Sequence, residues 1–220
     1  MPSPWRSATE RFVMVLALAL VWLGPAAASP QRPTLLVMGD SLSAAYGLAE
    51  EQGWVALLAE RLSGHGPGWE VVNASISGET TAGGASRIAH ALRSHRPELV
   101  LIELGANDGL RGLPLELAQA NLRSMVEASR KAGAAVLLVG MQIPPNYGPD
   151  YTRGFIDMYR ALAEEQQVAL LPFLLEPIAG DLQKFQADRL HPTAQAQPLL
   201  LEHVWSVLRP LLDTAEASSR

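Results

Sequence analysis

A serine near the start of the chain and a histidine near its end have the types and neighbours that catalysis requires. Ser41 follows the apolar run 35–38 in a Gly-Asp-Ser turn, and Asp188 stands three residues before His191. None of the other four histidines has a carboxylate at that spacing. A serine hydroxyl becomes a good nucleophile when an oriented imidazole takes its proton, and a carboxylate can supply the orientation. Ser41, His191 and Asp188 therefore predict a serine hydrolase.

Acyl transfer also needs hydrogen-bond donors for the oxyanion, and one such donor is typically worth ~10²–10³ in rate. The side-chain amide of Asn107, the backbone N–H of Gly78 and the backbone N–H of Ser41 are the candidates. Taken singly, Asn107 also fits an Asx-turn and Gly78 an ordinary turn glycine. Their occurrence together favours an oxyanion hole.

Ser41 has two other readings. A serine after a strand is often a helix N-cap, and flavodoxin-like domains use the same turn to hold phosphate. The chain contains neither a G-x-x-x-x-G-K-[ST] loop nor a G-x-G-x-x-G fingerprint. It also lacks the G-x-S-x-G nucleophile elbow, because Ser43 occupies the last glycine position. A nucleophilic Ser41 therefore belongs to a different class of hydrolase.

The elements that must position these groups alternate along the chain. Short apolar runs predict strands over residues 34–38, 69–73, 99–103, 135–141 and 168–171. Helical spacing predicts helices over residues 53–62, 81–93, 115–131, 153–166 and 193–212. This alternation calls for right-handed crossovers and a parallel sheet covered on both faces. The predicted fold is α/β, a three-layer, doubly wound, five-stranded parallel sheet of the flavodoxin-like type.

Ligands of such sheets gather at the carboxyl ends of the strands. Ser41, Gly78 and Asn107 each follow a different predicted strand, and His191 lies in a loop after the fifth. We therefore expect all of them at one edge of the sheet.

Four sequence blocks carry a resemblance to a known family. In order, they are Gly39-Asp40-Ser41-Leu42-Ser43, Ser77-Gly78-Glu79, Gly105-Ala106-Asn107-Asp108 and Asp188-Arg189-Leu190-His191-Pro192. The chain resembles the SGNH or GDSL hydrolases, whose blocks centre on Ser, Gly, Asn and His, and is most similar to their bacterial thioesterase and lysophospholipase group. Arg189 and Leu190 depart from the glycine and isoleucine expected before the histidine.

This resemblance implies a monomeric, periplasmic esterase of broad specificity that uses no metal, nucleotide or other cofactor. It implies that Ser41 is the nucleophile, His191 the general base and acid, and Asp188 the residue that orients the base. It further implies an oxyanion hole of Ser41, Gly78 and Asn107. Substrates would be acyl esters, thioesters or lysophospholipids.

The N-terminal segment has the pattern of a secretory signal peptide. Arg6 and Arg11 precede a 12-residue apolar stretch, and Ala28 ends a small-residue cleavage site. Cleavage after Ala28 leaves 192 residues, enough for one α/β domain over residues 29–220. The apolar stretch is shorter than the ~20 residues of a membrane span, so we expect no stable anchor.

Composition narrows the choice of partners. The chain carries 17 basic and 22 acidic residues, and no basic run points to nucleic acid. It has no cysteine, so no disulfide holds the exported protein together. Apolar residues in loops near Ser41, including Leu110, Pro145 and Tyr147, are the predicted substrate contacts, and they suit an acyl chain better than a sugar. A carbohydrate acetyl-esterase and a non-catalytic binding module remain the alternative functions.

Overall fold

The computed structural model describes residues 32–218, so the predicted signal peptide lies outside the described residues. Five parallel strands form one sheet in the order β2-β1-β3-β4-β5. The strands are β1 (Thr34–Gly39), β2 (Glu70–Asn73), β3 (Leu99–Glu103), β4 (Ala135–Val139) and β5 (Ala169–Leu171). This is the strand order of a flavodoxin-like, doubly wound sheet, and it confirms the predicted fold.

Burial follows the position of each strand in the sheet. Every residue of the two central strands β1 and β3 is buried, as expected for a sheet with helices on both faces. The edge strand β2 is different, because two of its four residues are exposed and two are half-buried. The expectation that all five strands are fully covered was therefore wrong for the two edge strands, since two of the three residues of β5 are also only half-buried.

In the described part of the chain, six α-helices flank the sheet. They are α1 (Trp54–Ser63), α2 (Thr81–His95), α3 (Ala106–Leu110), α4 (Leu115–Lys131), α5 (Pro149–Gln166) and α6 (Gln197–Ser218). Helix α1 packs against α6, whereas α4 packs between α2 and α5. Helices α1 and α6 form the layer on one face of the sheet, and helices α2, α4 and α5 form the layer on the other face. Among residues 32–218, no helix is long and apolar enough to cross a bilayer.

Sequence periodicity missed three features of these helices. The short helix α3 lies where a turn was predicted, because five residues are too few to show a helical repeat. Helix α5 begins at Pro149, four residues before the predicted start, since proline is well accepted in the first turn of a helix. Helix α6 begins at Gln197 and continues to Ser218, whereas residues 194–196 form a separate 3-10 turn.

Candidate active site

Ser41 lies in a tight turn directly after β1. The turn is closed by the N–H of Ala44, which donates to the carbonyl of Asp40 over 2.9 Å. Gly39 permits this packing, because a Cβ at that position would lie 2.7 Å from the side chain of Ser43. The central, fully buried strand thus delivers Ser41 to the carboxyl edge of the sheet.

Asp188 and His191 lie in a loop that an antiparallel bridge between Phe185 and Pro192 closes. Asp188 Oδ1 accepts hydrogen bonds from the N–H groups of Leu190 (2.9 Å) and His191 (3.0 Å). These backbone bonds, first that of His191 and then that of Leu190, together with the imidazole, lower the pKa of Asp188 to about 2. The residue is therefore a carboxylate at any pH at which the protein would normally work.

The structure brings the three predicted catalytic side chains into one hydrogen-bonded row. His191 Nδ1 lies 2.7 Å from Asp188 Oδ2, and His191 Nε2 lies 2.9 Å from Ser41 Oγ. An ionised Asp188 favours the proton on Nδ1, which leaves Nε2 free to accept from the serine hydroxyl. The arrangement can remove the proton of Ser41 as the hydroxyl attacks a carbonyl carbon.

Asn107 lies in the first turn of α3, and a hydrogen bond to Asp40 orients its side-chain amide. Asn107 Nδ2 donates to Asp40 Oδ2 over 3.0 Å, and the N–H of Leu42 donates to Asp40 Oδ1 over 3.0 Å. Asp40 therefore fixes the amide of Asn107 relative to the turn that carries Ser41. The second hydrogen of the amide remains available to an oxyanion.

Gly78 follows β2 in a loop that approaches the same edge. Its φ of +80° lies in the left-handed region, which a glycine adopts without strain. Its carbonyl accepts from Arg111 Nη2 over 2.9 Å, so the guanidinium ties this loop to the end of α3. Ser41, Gly78 and Asn107 all line one cleft.

A second acid, Glu103, lies under this arrangement and was not among the predicted site residues. Glu103 Oε2 accepts from the hydroxyl of Ser43 (2.8 Å) and the N–H of Asp40 (3.3 Å). Burial, and next the charge of Asp40, raise the pKa of Glu103 well above its usual 4.5. Burial likewise raises the pKa of Asp40 to about 6, although the bonds from Leu42 and Asn107 oppose the rise. A carboxylate within the otherwise apolar run of β3 was the available sequence signal.

The cleft beside Ser41 has a volume of about 660 Å³. Most of its lining is apolar, and the loops after β3, β4 and β5 contribute the larger part. The apolar lining residues are Leu42, Ala106, Leu110, Met141, Ile143, Pro144, Pro145, Phe173, Leu175, Ala179, Phe185 and Leu190. An apolar cleft that opens at a nucleophile can hold an acyl chain while its carbonyl is attacked.

Of the three predicted substrate contacts, Leu110 and Pro145 line this cleft. Tyr147 does not, and the structure places it in a supporting position instead. Its ring packs against the hydrophobic core, and its hydroxyl donates to the carbonyl of Leu110 over 2.7 Å. Because the hydroxyl of Tyr147 is already bonded to Leu110, Tyr147 can influence the cleft by holding Leu110 in place.

Comparison with known proteins identifies the family. Residues 37–198 match the GDSL-like lipase/acylhydrolase family. The chain belongs to that family. This match covers all four sequence blocks, and it identifies the chain as an SGNH-type esterase, a hydrolytic enzyme.

Two curated relatives are similar to this SGNH esterase over most of its length. Esterase TesA of Pseudomonas aeruginosa is 53% identical over 195 residues, which cover 89% of this chain and 96% of the relative. Thioesterase 1/protease 1/lysophospholipase L1 of Escherichia coli K12 is 40% identical and covers 82% of this chain and 85% of its own.

Solved structures agree with the fold. The crystal structure of TesA superposes with a TM-score of 0.78 at 54% identity, over 81% of this chain and 99% of that one. The psychrotrophic esterase EstA of Pseudoalteromonas sp., in a form inhibited by monoethylphosphonate, also gives a TM-score of 0.78 at 42% identity. That superposition covers 82% of this chain and 98% of the EstA chain.

Proposed function

We propose that this SGNH esterase is exported and hydrolyses acyl esters and thioesters, including lysophospholipids, through a covalent acyl-enzyme on Ser41. One observation carries the proposal. The row Asp188–His191–Ser41, with contacts of 2.7 and 2.9 Å, ends at the mouth of an apolar cleft of about 660 Å³. This reaction requires a nucleophile with its base and a cleft for the acyl chain, together with donors for the oxyanion.

The first half of the reaction forms the acyl-enzyme. His191 Nε2 takes the proton of Ser41 as Oγ bonds to the substrate carbonyl carbon, and the carbonyl oxygen becomes an oxyanion. The imidazolium then gives that proton to the leaving alcohol or thiol, and the bond from the carbonyl carbon to the leaving group breaks. The carboxylate of Asp188 stabilises the imidazolium in between.

The oxyanion is bound by the N–H groups of Ser41 and Gly78 and by the free N–H of the Asn107 amide. These donors are useful because they are positioned before the charge develops. Asn107 is held by Asp40, and Gly78 by Arg111. Neither group has to be ordered at the moment of reaction.

The second half of the reaction releases the acid. A water molecule gives a proton to His191 Nε2, and its oxygen attacks the acyl carbonyl carbon. The same donors hold the second oxyanion. The bond to Ser41 Oγ breaks, and the serine recovers its proton from the imidazolium.

The substrate class follows from the lining of the cleft and from the relatives. Among the predicted contacts, Leu110 and Pro145 lie where an acyl chain would extend from Ser41. One relative is named an esterase and another a thioesterase and lysophospholipase. An aliphatic chain gains free energy by leaving water for such a surface, whereas a sugar would lose hydrogen bonds there.

Export and assembly complete the proposal. Residues 1–28 act as a secretory signal cleaved after Ala28, so that the mature enzyme works in the periplasm as a monomer. Fractionation of cells that express the full chain, followed by size-exclusion chromatography of the periplasmic form, tests both points.

The activity is tested with a substrate panel on wild type and Ser41→Ala. The panel comprises p-nitrophenyl esters of increasing chain length, palmitoyl-CoA, a lysophosphatidylcholine and acetyl-xylan. We expect cleavage of the first three classes, loss of all activity in the variant, and covalent labelling of wild-type Ser41 by a fluorophosphonate. Preferred cleavage of acetyl-xylan would support the carbohydrate esterase instead. Failure to label Ser41 in a folded protein would refute the mechanism.

A further inference from the structure

Tyr46 packs against His191, the proposed general base, and the mechanism above does not use it. Its ring centroid lies 4.4 Å from that of His191, with 37° between the ring planes. The residue lines the cleft, yet 51% of its surface is exposed. A large aromatic side chain normally buries more of itself than this. Its free surface faces a region that a substrate can enter.

The position of Tyr46 is set by its main chain. Its N–H donates to the carbonyl of Ser41 over 3.1 Å. Its carbonyl accepts from Gln186 Nε2 over 2.8 Å, and the same nitrogen donates to the carbonyl of Pro192 over 3.0 Å. The amide of Gln186 thus joins the nucleophile turn to the loop that carries His191.

The backbone on both sides of Tyr46 is shaped for this placement. Ala45 has a φ of +55°, which is costly for a residue with a Cβ. Gly47 has a φ of +75°, and a Cβ there would lie 2.3 Å from Oε1 of Gln186. Strain of this kind is retained where the surrounding structure demands it, and here it presents an aromatic ring to the base.

The chemistry of the base places the leaving group close to this ring. His191 Nε2 delivers its proton to the leaving oxygen or sulfur, so the leaving group must pass along the edge of the imidazole. The ring of Tyr46 packs against that same imidazole, tilted from it by 37°. By contrast, the other apolar lining comes mainly from the loops after β3, β4 and β5. The loop after β5 also carries His191, whereas Tyr46 belongs to the turn that carries Ser41 and offers an exposed aromatic surface directly beside the imidazole.

We propose that Tyr46 forms a leaving-group subsite, in which an aromatic ring on the departing alcohol packs against the tyrosine ring beside His191. The inference rests on the proposed function, because it needs a leaving group that receives its proton from His191. Tyr46 is then a specificity-determining residue that favours esters of aromatic alcohols over aliphatic ones of equal size.

The test compares benzyl butyrate with cyclohexylmethyl butyrate, which share an acyl chain and differ only in the aromaticity of the alcohol. The variants are Tyr46→Leu and Tyr46→Phe, with Leu182→Ala as a control on an exposed leucine outside the cleft. Both hydrogen bonds of Tyr46 are made by its main chain, so these substitutions retain them. Thermal denaturation of each variant verifies the fold.

The readout is the ratio of kcat/KM for the benzyl ester to kcat/KM for the cyclohexylmethyl ester. Loss of an aromatic pair corresponds to about a 2- to 12-fold change, so we expect the ratio to fall by that factor in Tyr46→Leu. It should stay unchanged in Tyr46→Phe and Leu182→Ala. Any effect of the stacking on His191 itself lowers both rates equally and cancels in the ratio.

Two results would overturn the inference in different ways. If wild type cleaves both esters and Tyr46→Leu leaves the ratio unchanged, the subsite is wrong although the esterase function stands. If wild type cleaves neither ester and its Ser41 resists labelling by the fluorophosphonate, the proposed function falls and the subsite falls with it.

Discussion

Replacing Asp188 by its isosteric amide should damage the enzyme more than deleting the side chain. Asp188 Oδ1 accepts two backbone N–H groups, those of Leu190 and His191. In Asp188→Asn, the same two N–H groups still donate to the amide oxygen, which keeps that oxygen in the position of Oδ1. The NH₂ group must then face His191 Nδ1. The imidazole must then accept at Nδ1 and carry its proton on Nε2. That tautomer cannot take the proton of Ser41.

The magnitude follows from the bonds that must change. Rotating the amide to recover the productive tautomer sacrifices two backbone hydrogen bonds, at ~0.5–1.5 kcal/mol each. Losing the carboxylate beside the imidazolium costs another ~1.5–2 kcal/mol, the lower part of the usual range for a charged hydrogen bond. We use the lower part because the side chain of Asp188 is 38% exposed and water screens its charge. The total of about 2.5–5 kcal/mol corresponds to roughly 10²–10⁴ in kcat/KM.

Asp188→Ala is the matched control. It loses the charge but leaves the imidazole free to choose its tautomer, and the two N–H groups can turn to water. We therefore expect a loss of only about 2 kcal/mol, roughly 30-fold. The assay is hydrolysis of p-nitrophenyl butyrate at pH 7.5, with circular dichroism to verify folding. An Asn variant that is as active as the Ala variant, or more so, would refute the tautomer argument.

Three further changes test other parts of the site. Gly78→Ala puts a side chain at a φ of +80° without a close clash, so kcat should fall by up to ~10²–10³ as the backbone N–H shifts, and urea denaturation should show a loss of ~1–2 kcal/mol from the backbone strain. Glu103→Gln should make the folded state more stable than that of wild type, and increasingly so as the pH rises. Because burial raises the pKa of Glu103 above 4.5, its protonated form is favoured on folding, and wild type loses stability above that pH. Urea titrations should give equal stabilities at pH 4 and a more stable variant at pH 7.5; no pH dependence would contradict this. Tyr147→Phe should cost ~0.5–1.5 kcal/mol of stability and leave KM within about twofold, whereas a large rise in KM would restore Tyr147 as a substrate contact.

The sequence predicted the fold well because the sheet leaves a direct trace in it. Strands buried on both faces, such as β3 (Leu99–Glu103), are short apolar runs, and the loops that follow them share one edge. This topology is enough to bring Ser41 and His191 together. The same reasoning could not predict which neighbours support them.

Those supporting contacts depend on side-chain directions that periodicity does not encode. The bond from Asn107 to Asp40 joins residues 67 positions apart, and nothing local in either segment requires it. Tyr147 was expected at the substrate because it is an aromatic residue in the right loop. Its hydroxyl instead reaches the carbonyl of Leu110, a contact that only the packed structure determines.

The separation of Ser41 and His191 by 150 positions has a consequence for the chain while it is being synthesised. A ribosome-bound or translocating chain already contains the nucleophile long before the loop that carries its base has been made. Such a chain has no competent centre, since the hydroxyl alone is unreactive toward esters. Under the proposed mechanism, no ester can be cleaved until the loop that carries His191 has been made and has packed against the turn that carries Ser41.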